Sequence, residues 1–300
     1  MSDSFHTGYV ALVGKPNTGK STLMNALVGE NLSITAPRPQ TTRHQILGIK
    51  TTATYQCIFV DTPGMHKLNN KAIHRYMNRA ANSILADADV ICVLLDVQRF
   101  NGDDEKILQR VKNLKHVIIA LNKIDLLNKQ ACLPMIQKIS QLAPDREIVP
   151  ISALKNENLG RLEQIISGYL PQGLPQFPDD QLTDKSMRFI AAEIIREKLF
   201  RLLQQELPYS VTVNIDHYTV EPDITRISAT IWAERKSQKA IIIGKNGSVL
   251  KKVGMQARTD IQRLIDGKAY LQLWVKIRED WADDEHSLAA FGYSDANKSF

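Results

Sequence analysis

Hydrophobic positions in the first part of the chain form short apolar runs that alternate with longer stretches of helical periodicity. The runs cover residues 9–13, 56–60, 90–96, 117–122 and 148–151, and each has the length of a buried strand. Between them, apolar residues recur three and four positions apart over 21–28, 72–85, 104–113, 134–143 and 159–169. This alternation predicts an α/β domain in which a mostly parallel sheet carries helices on both faces.

A proline-rich segment interrupts this pattern. Pro171, Pro175 and Pro178 fall within eight residues, a density that neither a helix nor a central strand accepts. We therefore predict a first domain over residues 1–172, a linker over 173–185 and a second domain over 186–300. The pattern of the second domain predicts a helix (186–203), two strands (210–216 and 224–233), a short helix ending at 243, a long helix (248–265), a strand (270–278) and a final helix (283–291).

The composition narrows the class of protein. A chain of 300 residues usually needs more than one core, and 43% hydrophobic with 23% charged residues excludes extensive disorder. No apolar run approaches the roughly 20 residues of a membrane-spanning helix, and the start lacks the pattern of a secretory signal. Cys57, Cys92 and Cys132 have no spacing typical of disulfide frameworks or metal sites. We therefore expect a reduced, cytoplasmic protein.

The positive charge is concentrated in one segment. Residues 235–278 carry 11 Lys and Arg against 2 Asp and Glu, whereas residues 279–300 carry 1 against 6. A local excess of this size indicates a polyanionic partner. The alternative is that these basic residues form an ordinary solvated surface with no polyanionic partner.

A phosphate-binding motif follows the first predicted strand. The segment G-K-P-N-T-G-K-S fits the pattern G-x-x-x-x-G-K-[ST], whose backbone N–H groups and following helix surround a phosphate. We predict that Lys20 reaches the β- and γ-phosphates and that the Ser21 hydroxyl holds Mg²⁺. The alternative is a glycine-rich turn that only begins a helix. The further nucleotide-binding motifs described next make this alternative negligible. The residues predicted to contact nucleotide here are Gly14, Lys15, Pro16, Asn17, Thr18, Gly19, Lys20, Ser21 and Thr22.

Three further motifs lie at the ends of predicted strands. In D-T-P-G, the Asp61 carboxylate can hold Mg²⁺ through water. In N-K-I-D, the Asp125 carboxylate can accept hydrogen bonds from N1–H and N2–H₂ of guanine. In S-A, the Ala153 N–H can approach the carbonyl of the base. Adenine offers no such donor pair, and open α/β sheets bind ligands at the carboxyl ends of their strands. The sequence therefore predicts a guanine nucleotide, GTP or GDP. The residues involved are Asp61, Thr62, Pro63, Gly64, Met65, Asn122, Lys123, Asp125, Ser152 and Ala153.

Hydrolysis requires groups beyond those that bind nucleotide. A threonine of Q-T-T-R, for which Thr42 is preferred over Thr41, is predicted to join Ser21 and Asp61 around Mg²⁺. Met65 stands where many such enzymes carry a water-orienting glutamine, so we expect slow intrinsic turnover. The Asn17 side chain could hold K⁺ against the phosphates; that it only shapes the loop is an equal alternative. The residues predicted to act in hydrolysis are Lys20, Asn17, Thr42 and Gly64.

The second domain contains a G-x-x-G tetrad between two predicted helices, inside the basic segment. The order helix, strand, strand, helix, G-x-x-G, helix, strand is typical of an α+β type II KH domain, whose loop clamps about four nucleotides of single-stranded RNA. Trp232 and Trp274 lie in alternating strands, which favours core packing over base stacking. The residues predicted to contact RNA are Ile243, Gly244, Lys245, Asn246, Gly247, Lys251 and Lys252.

The motifs of both halves closely resemble those of the bacterial Era GTPases. G-K-P-N-T-G-K-S, Q-T-T-R-H, D-T-P-G, N-K-I-D and S-A occur in that order, followed by E-L-P-Y-S-V, I-I-G-K-N-G and L-W-V-K. The resemblance implies GTP hydrolysis, binding of the 3′ end of 16S rRNA, and assistance to 16S rRNA processing and 30S subunit assembly. It also implies a cytoplasmic protein with a peripheral fraction at the inner membrane. We expect a monomer.

Two other functions stay open at this point. The chain could be an RNA-binding scaffold that holds GTP and hydrolyses it only incidentally, or a membrane-associated signalling GTPase. The absence of an aromatic-rich amphipathic helix argues against the membrane function. A substitution that blocks hydrolysis but spares GTP binding distinguishes a switch from a scaffold. It should trap the complex if the protein is a switch, and it should have no effect if the protein is a scaffold.

Overall fold

A computed structural model describes residues 5–36, 41–64, 71–204 and 207–293. The chain divides into two compact units, the first made of Met1–Ser33, Thr42–Lys67 and Met77–Asp184, and the second of Ile34–Thr41, Leu68–Tyr76 and Lys185–Phe300. The first unit therefore includes nearly all of the segment 173–185 that the sequence predicts as a linker.

The first unit is built on a six-stranded sheet. Its strands are β1 (His6–Val13), β2 (Ile46–Thr51), β3 (Tyr55–Asp61), β4 (Val90–Asp96), β5 (Val117–Asn122) and β6 (Glu147–Pro150), in the order β2-β3-β1-β4-β5-β6. Only β2 runs antiparallel to its neighbour among the described pairs. Every residue of β4 and β5 is buried, as in a sheet covered on both faces. The predicted α/β architecture is confirmed.

The helices of the first part of the chain follow the predicted periodicity. They are α1 (Lys20–Val28), α2 (Ala72–Asp87), α3 (Gly102–Val111), α4 (Lys129–Leu142) and α5 (Leu159–Tyr169). Helix α3 begins with a capping box, because the Asn101 side chain accepts from Asp103 N–H and the Asp104 side chain accepts from Asn101 N–H. Helix α4 begins before the predicted residue 134, so Pro134 lies inside it, where it removes one backbone donor.

Strand β2 is the element that the sequence analysis missed. It is a short edge strand with Gly48 at its centre, where an added Cβ would lie within 2.8 Å of Met24. Its outer edge is covered, because Ile49 N–H donates to the Leu182 carbonyl at 2.8 Å and Leu47 N–H to Asp184 Oδ1 at 3.1 Å. The segment after Pro178 therefore packs along the sheet.

The second unit packs helices against one face of a three-stranded sheet. Its elements are α6 (Met187–Leu202), β7 (Val211–Val220), β8 (Thr225–Ala233), α7 (Lys236–Ile243), α8 (Ser248–Leu264), β9 (Ala269–Ile277) and α9 (Glu285–Ala290). Strand β8 is central, antiparallel to β7 and parallel to β9. Ile195, Ile231, Ile242 and Ile261 meet in one core and have no exposed surface. This is the α+β arrangement that the sequence predicts.

The two strand tryptophans differ in their surroundings. Trp274 is 53% exposed, so the predicted core packing is wrong for this residue. Trp232 is half-buried, and its ring lies 5.6 Å from that of Phe291. Strand alternation alone could not separate them, because the C-terminal segment covers one part of the sheet face and leaves another open.

Helix α6 contains a fully buried ion pair. The Arg196 guanidinium donates to both carboxylate oxygens of Glu193, at 2.7 and 2.5 Å, and one of its nitrogens also donates to the Thr41 carbonyl at 2.6 Å. Burial lowers the pKa of Arg196, but the combined effect of Glu193, Tyr293 and Glu197 is larger and raises the pKa overall. A pair this deep stabilises the unit only while both partners are present.

Candidate functional site

The predicted nucleotide residues converge at the carboxyl ends of the parallel strands. The loop 14–19 joins β1 to α1, Asp61 is the last residue of β3, Asn122 is the last residue of β5, and Ser152 follows β6. Because parallel strands end at the same edge of a sheet, these loops form one site.

Lys20 is held beneath the phosphate-loop backbone. Its ammonium donates to the carbonyls of Gly14 at 3.1 Å and Lys15 at 2.9 Å, and the side chain is 6% exposed. Burial lowers the pKa of Lys20 to about 8, and the Asp61 carboxylate opposes that shift. Gly19 has φ of 100°, a left-handed backbone that favours glycine and directs the loop into α1.

Two other lysines connect the phosphate loop to neighbouring segments. The Lys123 ammonium bonds the Asn17 carbonyl and Asp96 Oδ2, both at 2.6 Å. The Lys15 side chain contacts Asp104 Oδ2 at 2.5 Å and the Arg99 carbonyl at 2.8 Å, so its ammonium is engaged away from the loop backbone. These contacts give Lys123 a positioning role on the phosphate loop.

The Asn122 side chain connects three loops of the site. Its amide nitrogen donates to the Thr18 carbonyl at 2.8 Å, and its oxygen accepts from the N–H groups of Lys123 at 2.8 Å and Ala153 at 3.0 Å. The Ser152 hydroxyl donates to Asp125 Oδ1 at 2.6 Å, which fixes the carboxylate predicted to bind guanine. The structure thus brings together the N-K-I-D and S-A motifs and the phosphate loop.

A cluster of hydroxyls surrounds the Asp61 carboxylate. Oδ2 accepts from Ser21 at 2.6 Å, Ser33 at 2.7 Å and Thr42 at 3.4 Å, and the hydroxyls of Ser21 and Thr42 lie 2.8 Å apart. Burial raises the pKa of Asp61, whereas the hydrogen bonds and the Lys20 charge oppose that rise. The other oxygen, Oδ1, is buried and has no hydrogen-bond partner among the residues that the structure describes.

This cluster fits Mg²⁺. The ion prefers oxygen ligands, and an unpaired buried carboxylate oxygen beside two hydroxyls is a donor set of that kind. The structure places Thr42, rather than Thr41, beside Ser21 and Asp61, as the sequence analysis preferred. Within the described residues, no group of three or more His, Cys, Asp and Glu has metal-site geometry, so this mixed cluster is the candidate cation site.

The remaining predicted nucleotide residues lie around these groups. Thr62 donates its hydroxyl to the Leu12 carbonyl, and Pro63 is buried beside it. Gly64 approaches the loop so closely that an added Cβ would lie 2.7 Å from Pro16 N. Thr22 is half-buried in the first turn of α1, and Met65 lies outside the described residues.

The conformation of Asn17 bears on its two candidate roles. Asn17 has φ of 63°, a left-handed backbone that asparagine adopts more readily than most residues. The loop-shaping role therefore has an observed basis, and the K⁺ role stays a prediction.

Several residues that support the site were not predicted from the sequence. Ser33 is 3% exposed and bonds Asp61, and its backbone is held by Asn25, whose side chain accepts from the N–H groups of Leu32 and Ser33. Asp96 holds Lys123. Asp96 could have been found, because it ends the apolar run 90–96, but nothing in the spacing marks Ser33 or Asn25.

The G-x-x-G tetrad forms a tight turn at the start of α8. Gly244 and Gly247 both have φ of 74°, Asn246 has φ of 53°, and Gly247 N–H donates to the Gly244 carbonyl at 3.1 Å. An added Cβ at Gly244 would lie 2.9 Å from Val249 N, so both a left-handed backbone and a close approach require glycine there. Ile243 is half-buried at the end of α7, and Lys245 lies within the turn.

A groove of about 380 Å³ opens between α8 and β9. Of the predicted RNA residues it includes Gly247 and Lys251, whereas the exposed Lys252 does not line it. Its other lining residues, which the sequence analysis did not single out, are Leu250, Gly254, Met255, Arg258, Leu271 and Leu273. Apolar walls beside Lys251 and Arg258 suit bases on one side and phosphates on the other.

Comparisons with known proteins agree with both halves of this description. Residues 9–123 match the family described as 50S ribosome-binding GTPase, and residues 206–282 match the KH domain family. The GTPase Era of Azotobacter vinelandii is 48% identical over 296 residues, 98% of this chain and 99% of that protein. The chain belongs to the Era family of GTPases.

Solved structures of Era proteins extend this agreement. A single-residue variant of Aquifex aeolicus Era bound to GDP·AlF₄⁻ is 40% identical, covers 97% of this chain and 100% of its own, and has a TM-score of 0.93. Era in complex with MgGDPNP and nucleotides 1506–1542 of 16S ribosomal RNA is 41% identical, also with a TM-score of 0.93. Among the helices described for this family member, none is long and apolar enough to span a bilayer.

Proposed function

We propose that this Era-family protein hydrolyses GTP as a molecular switch, binds the 3′ end of 16S rRNA through its KH domain, and assists 16S rRNA processing and 30S subunit assembly. The observation that carries the proposal is the presence in one chain of the Asp61 cluster, with its unpaired Oδ1, and of the groove beside G-x-x-G. The first supports Mg²⁺-dependent phosphate chemistry, and the second supports single-stranded RNA binding.

Nucleotide binding follows from the groups at the strand ends. The backbone of residues 14–19 and the start of α1 present N–H groups to the phosphates, and Lys20 supplies positive charge beside them. Asp125, held by Ser152, accepts from the two donors of guanine, and Ala153 N–H lies beside Asn122 on the same side of the site. Adenine offers no such pair of donors to the Asp125 carboxylate, so the site selects guanine.

Hydrolysis transfers the γ-phosphoryl group to water. The water oxygen forms the new bond to phosphorus and its proton passes to the released phosphate or to solvent, while the bond to the β–γ bridging oxygen breaks and GDP leaves with the negative charge that Lys20 stabilises. Ser21, Thr42 and Asp61 would hold Mg²⁺, which would supply positive charge beside the phosphates. Gly64 N–H and an ion held by Asn17 would add to this stabilisation. With Met65 in place of a glutamine, we expect slow intrinsic turnover.

The RNA part of the proposal combines the groove with the relatives. An Era protein that is 41% identical has been solved with nucleotides 1506–1542 of 16S ribosomal RNA. In this chain, residues 244–247 and Lys251 would contact the RNA backbone while bases enter the groove beside Leu271 and Leu273. Lys252 is proposed as an additional phosphate contact. The 30S subunit, a monomeric state, a cytoplasmic location and a peripheral inner-membrane fraction stay predictions.

The test measures RNA affinity in two nucleotide states. Anisotropy of a labelled 16S rRNA 3′-end oligonucleotide is recorded with GDP and with a non-hydrolysable GTP analogue over a salt series. A switch gives tighter binding with one nucleotide and a log–log salt slope of about −0.7 per phosphate contacted. Equal affinity in both states favours the scaffold. Binding to anionic vesicles without RNA binding favours the membrane function, and Lys20→Ala is the nucleotide-binding control.

A further inference from the structure

The face of the second-unit sheet that is turned away from the helices carries exposed aromatic side chains. Residues of β9 alternate, so that Leu271, Leu273 and Val275 pack toward the core while the residues between them point to the other side. On that other side, Trp274 is 53% and Tyr270 48% exposed. Exposed large aromatics grouped on one strand indicate a contact surface rather than a core.

The geometry of this surface suits stacking. Tyr270 and Trp274 lie four residues apart on one strand, about 13 Å at the rise of a β-strand. Gln272, also exposed, lies between them and offers both a donor and an acceptor. The paired strand places Arg226 opposite Tyr270, with its guanidinium 5.7 Å from the ring centroid, and Thr230 opposite Trp274. Sheets that present aromatics in this way bind single-stranded RNA in RRM domains by stacking bases on them.

One end of this sheet face is covered. Trp232 packs against Phe291 at 5.6 Å, and the Lys276 ammonium lies 5.8 Å from the Trp232 ring. Among the described residues, Phe291 therefore covers the end of the face near Trp232, whereas Tyr270 and Trp274 are exposed.

The charge around the open region favours a polyanion. Residues 267–278 contain Lys268, Lys276 and Arg278 and no acidic residue. Two acidic residues in and just after β7 are engaged by neighbours. Glu221 contacts Arg226 through both oxygens, at 2.9 and 3.0 Å. The other, Asp216, accepts from Thr230 at 2.7 Å and from Asn214 at 3.4 Å. These two carboxylates are thus paired, and Lys268 and Lys276 lie near the two ends of the aromatic strand.

The open region is continuous with the groove. Strand β9 is at the edge of the sheet, and its alternate residues Leu271 and Leu273 line the groove opposite Lys251. Only the backbone of this one strand separates the groove from the Tyr270 and Trp274 side chains. A nucleic acid strand that leaves the groove across this edge reaches the aromatic side directly.

We propose that Tyr270, Gln272 and Trp274 form a second RNA contact that stacks bases flanking the nucleotides held in the groove. This inference rests on the proposed RNA-binding function and extends its footprint from one side of β9 to both. Stacking on aromatics contributes to affinity with little dependence on sequence. The groove would then recognise the RNA sequence, and the aromatic side chains would increase the number of RNA nucleotides that the domain binds.

The test compares two RNA lengths and matched variants of the full chain. The short probe has about four nucleotides, the number that a KH groove holds, and the long probe carries the same core extended at both ends within the 16S rRNA 3′ segment. Trp274→Ala should weaken binding of the long probe roughly 5- to 100-fold and leave the short probe unchanged. Trp274→Phe, which keeps a ring, should restore most of the loss. Val220→Ala, another exposed apolar position of the unit, is the control.

The outcomes separate this inference from the proposed function. If Gly247→Asp abolishes binding of both probes while Trp274→Ala binds the long probe as wild type does, RNA binding in the groove stands and the inference is wrong. If wild type binds neither probe, the proposed RNA function fails together with the inference. Quenching of tryptophan fluorescence by the long probe, absent in Trp274→Phe, gives independent support.

Discussion

Truncating Asn122 should destabilise the first unit and weaken nucleotide binding at the same time. Asn122 is 2% exposed, and its side chain satisfies the Thr18 carbonyl and the N–H groups of Lys123 and Ala153. In Asn122→Ala, the Thr18 and Ala153 groups become buried and unpaired, at about 1–3 kcal/mol each. We therefore expect the free energy of unfolding to fall by about 2–6 kcal/mol, a large part of the stability of a typical domain.

The matched control is Asp125→Ala, three residues further on. The Asp125 carboxylate makes one hydrogen bond, from the Ser152 hydroxyl, so it connects two segments where Asn122 connects three, and the residue is half-buried. Its removal should cost about 1 kcal/mol of stability, less than Asn122→Ala, since a single side-chain hydrogen bond is lost. GDP affinity should nevertheless fall sharply, because the guanine donors lose their acceptor. Both Asn122→Ala and Asp125→Ala should therefore lose GDP affinity, and the free energy of unfolding is the quantity that distinguishes them.

The assay is urea unfolding of nucleotide-free protein followed by circular dichroism, because bound nucleotide adds stability through mass action. Hydrogen exchange of the Ala153 amide gives a local measure, since that N–H donates to Asn122. Asn122→Ala should lose this protection and Asp125→Ala should keep it. Unchanged protection at Ala153 together with an unfolding free energy equal to that of wild type would refute the bridging role of Asn122.

Other expected outcomes follow from buried groups. Glu193→Ala should lower the unfolding free energy by about 3–5 kcal/mol, because Arg196 is left charged and buried, and tryptophan fluorescence during urea unfolding measures this. Gly19→Ala should weaken GDP binding at least tenfold in a titration, because φ is 100° and the added Cβ would press on the Asn122 amide. Burial raises the pKa of the Cys57 and Cys92 thiols to about 12, against an ordinary value of 9.0. These thiols should therefore resist a disulfide reagent at pH 8 until the protein unfolds, and the stability they provide, complete below pH 9, should be lost as the pH rises toward 12.

The parts of the fold that sequence could predict are those with a strong local pattern. Strands β4 and β5 were predicted with their observed bounds, because continuous apolar runs that end in Asp96 or Asn122 mark buried parallel strands. Strand β2 was missed, because an edge strand with Gly48 at its centre has neither a long apolar run nor clean alternation. The start of α4 was misplaced for a related reason: Pro134 resembles a first helical residue, and tertiary packing tolerates it inside the helix.

In the site too, residues that belong to local motifs could be predicted from the sequence, whereas contacts between distant loops could not. Motifs fixed the loops that carry Lys20, Asp61 and Asn122, because their chemistry constrains residue type and spacing. The supporting contacts, such as Ser33 on Asp61, depend on which loops the fold brings together, and no spacing encodes that. The exposure of Trp274 is a further case, because strand alternation gives the side of the sheet but not what covers that side.

The segment after the first unit's last helix has a consequence for solubility. An open sheet grows by adding strands at unpaired edges, and proteins limit this with short, proline-bearing or covered edge strands. One edge of this sheet is β6, four residues long and ending at Pro150. The other is β2, whose outward N–H groups at Leu47 and Ile49 are occupied by Asp184 and Leu182. A fragment that ends at residue 172 would expose that edge and should self-associate, whereas one that ends at 184 keeps the edge covered and should stay dispersed.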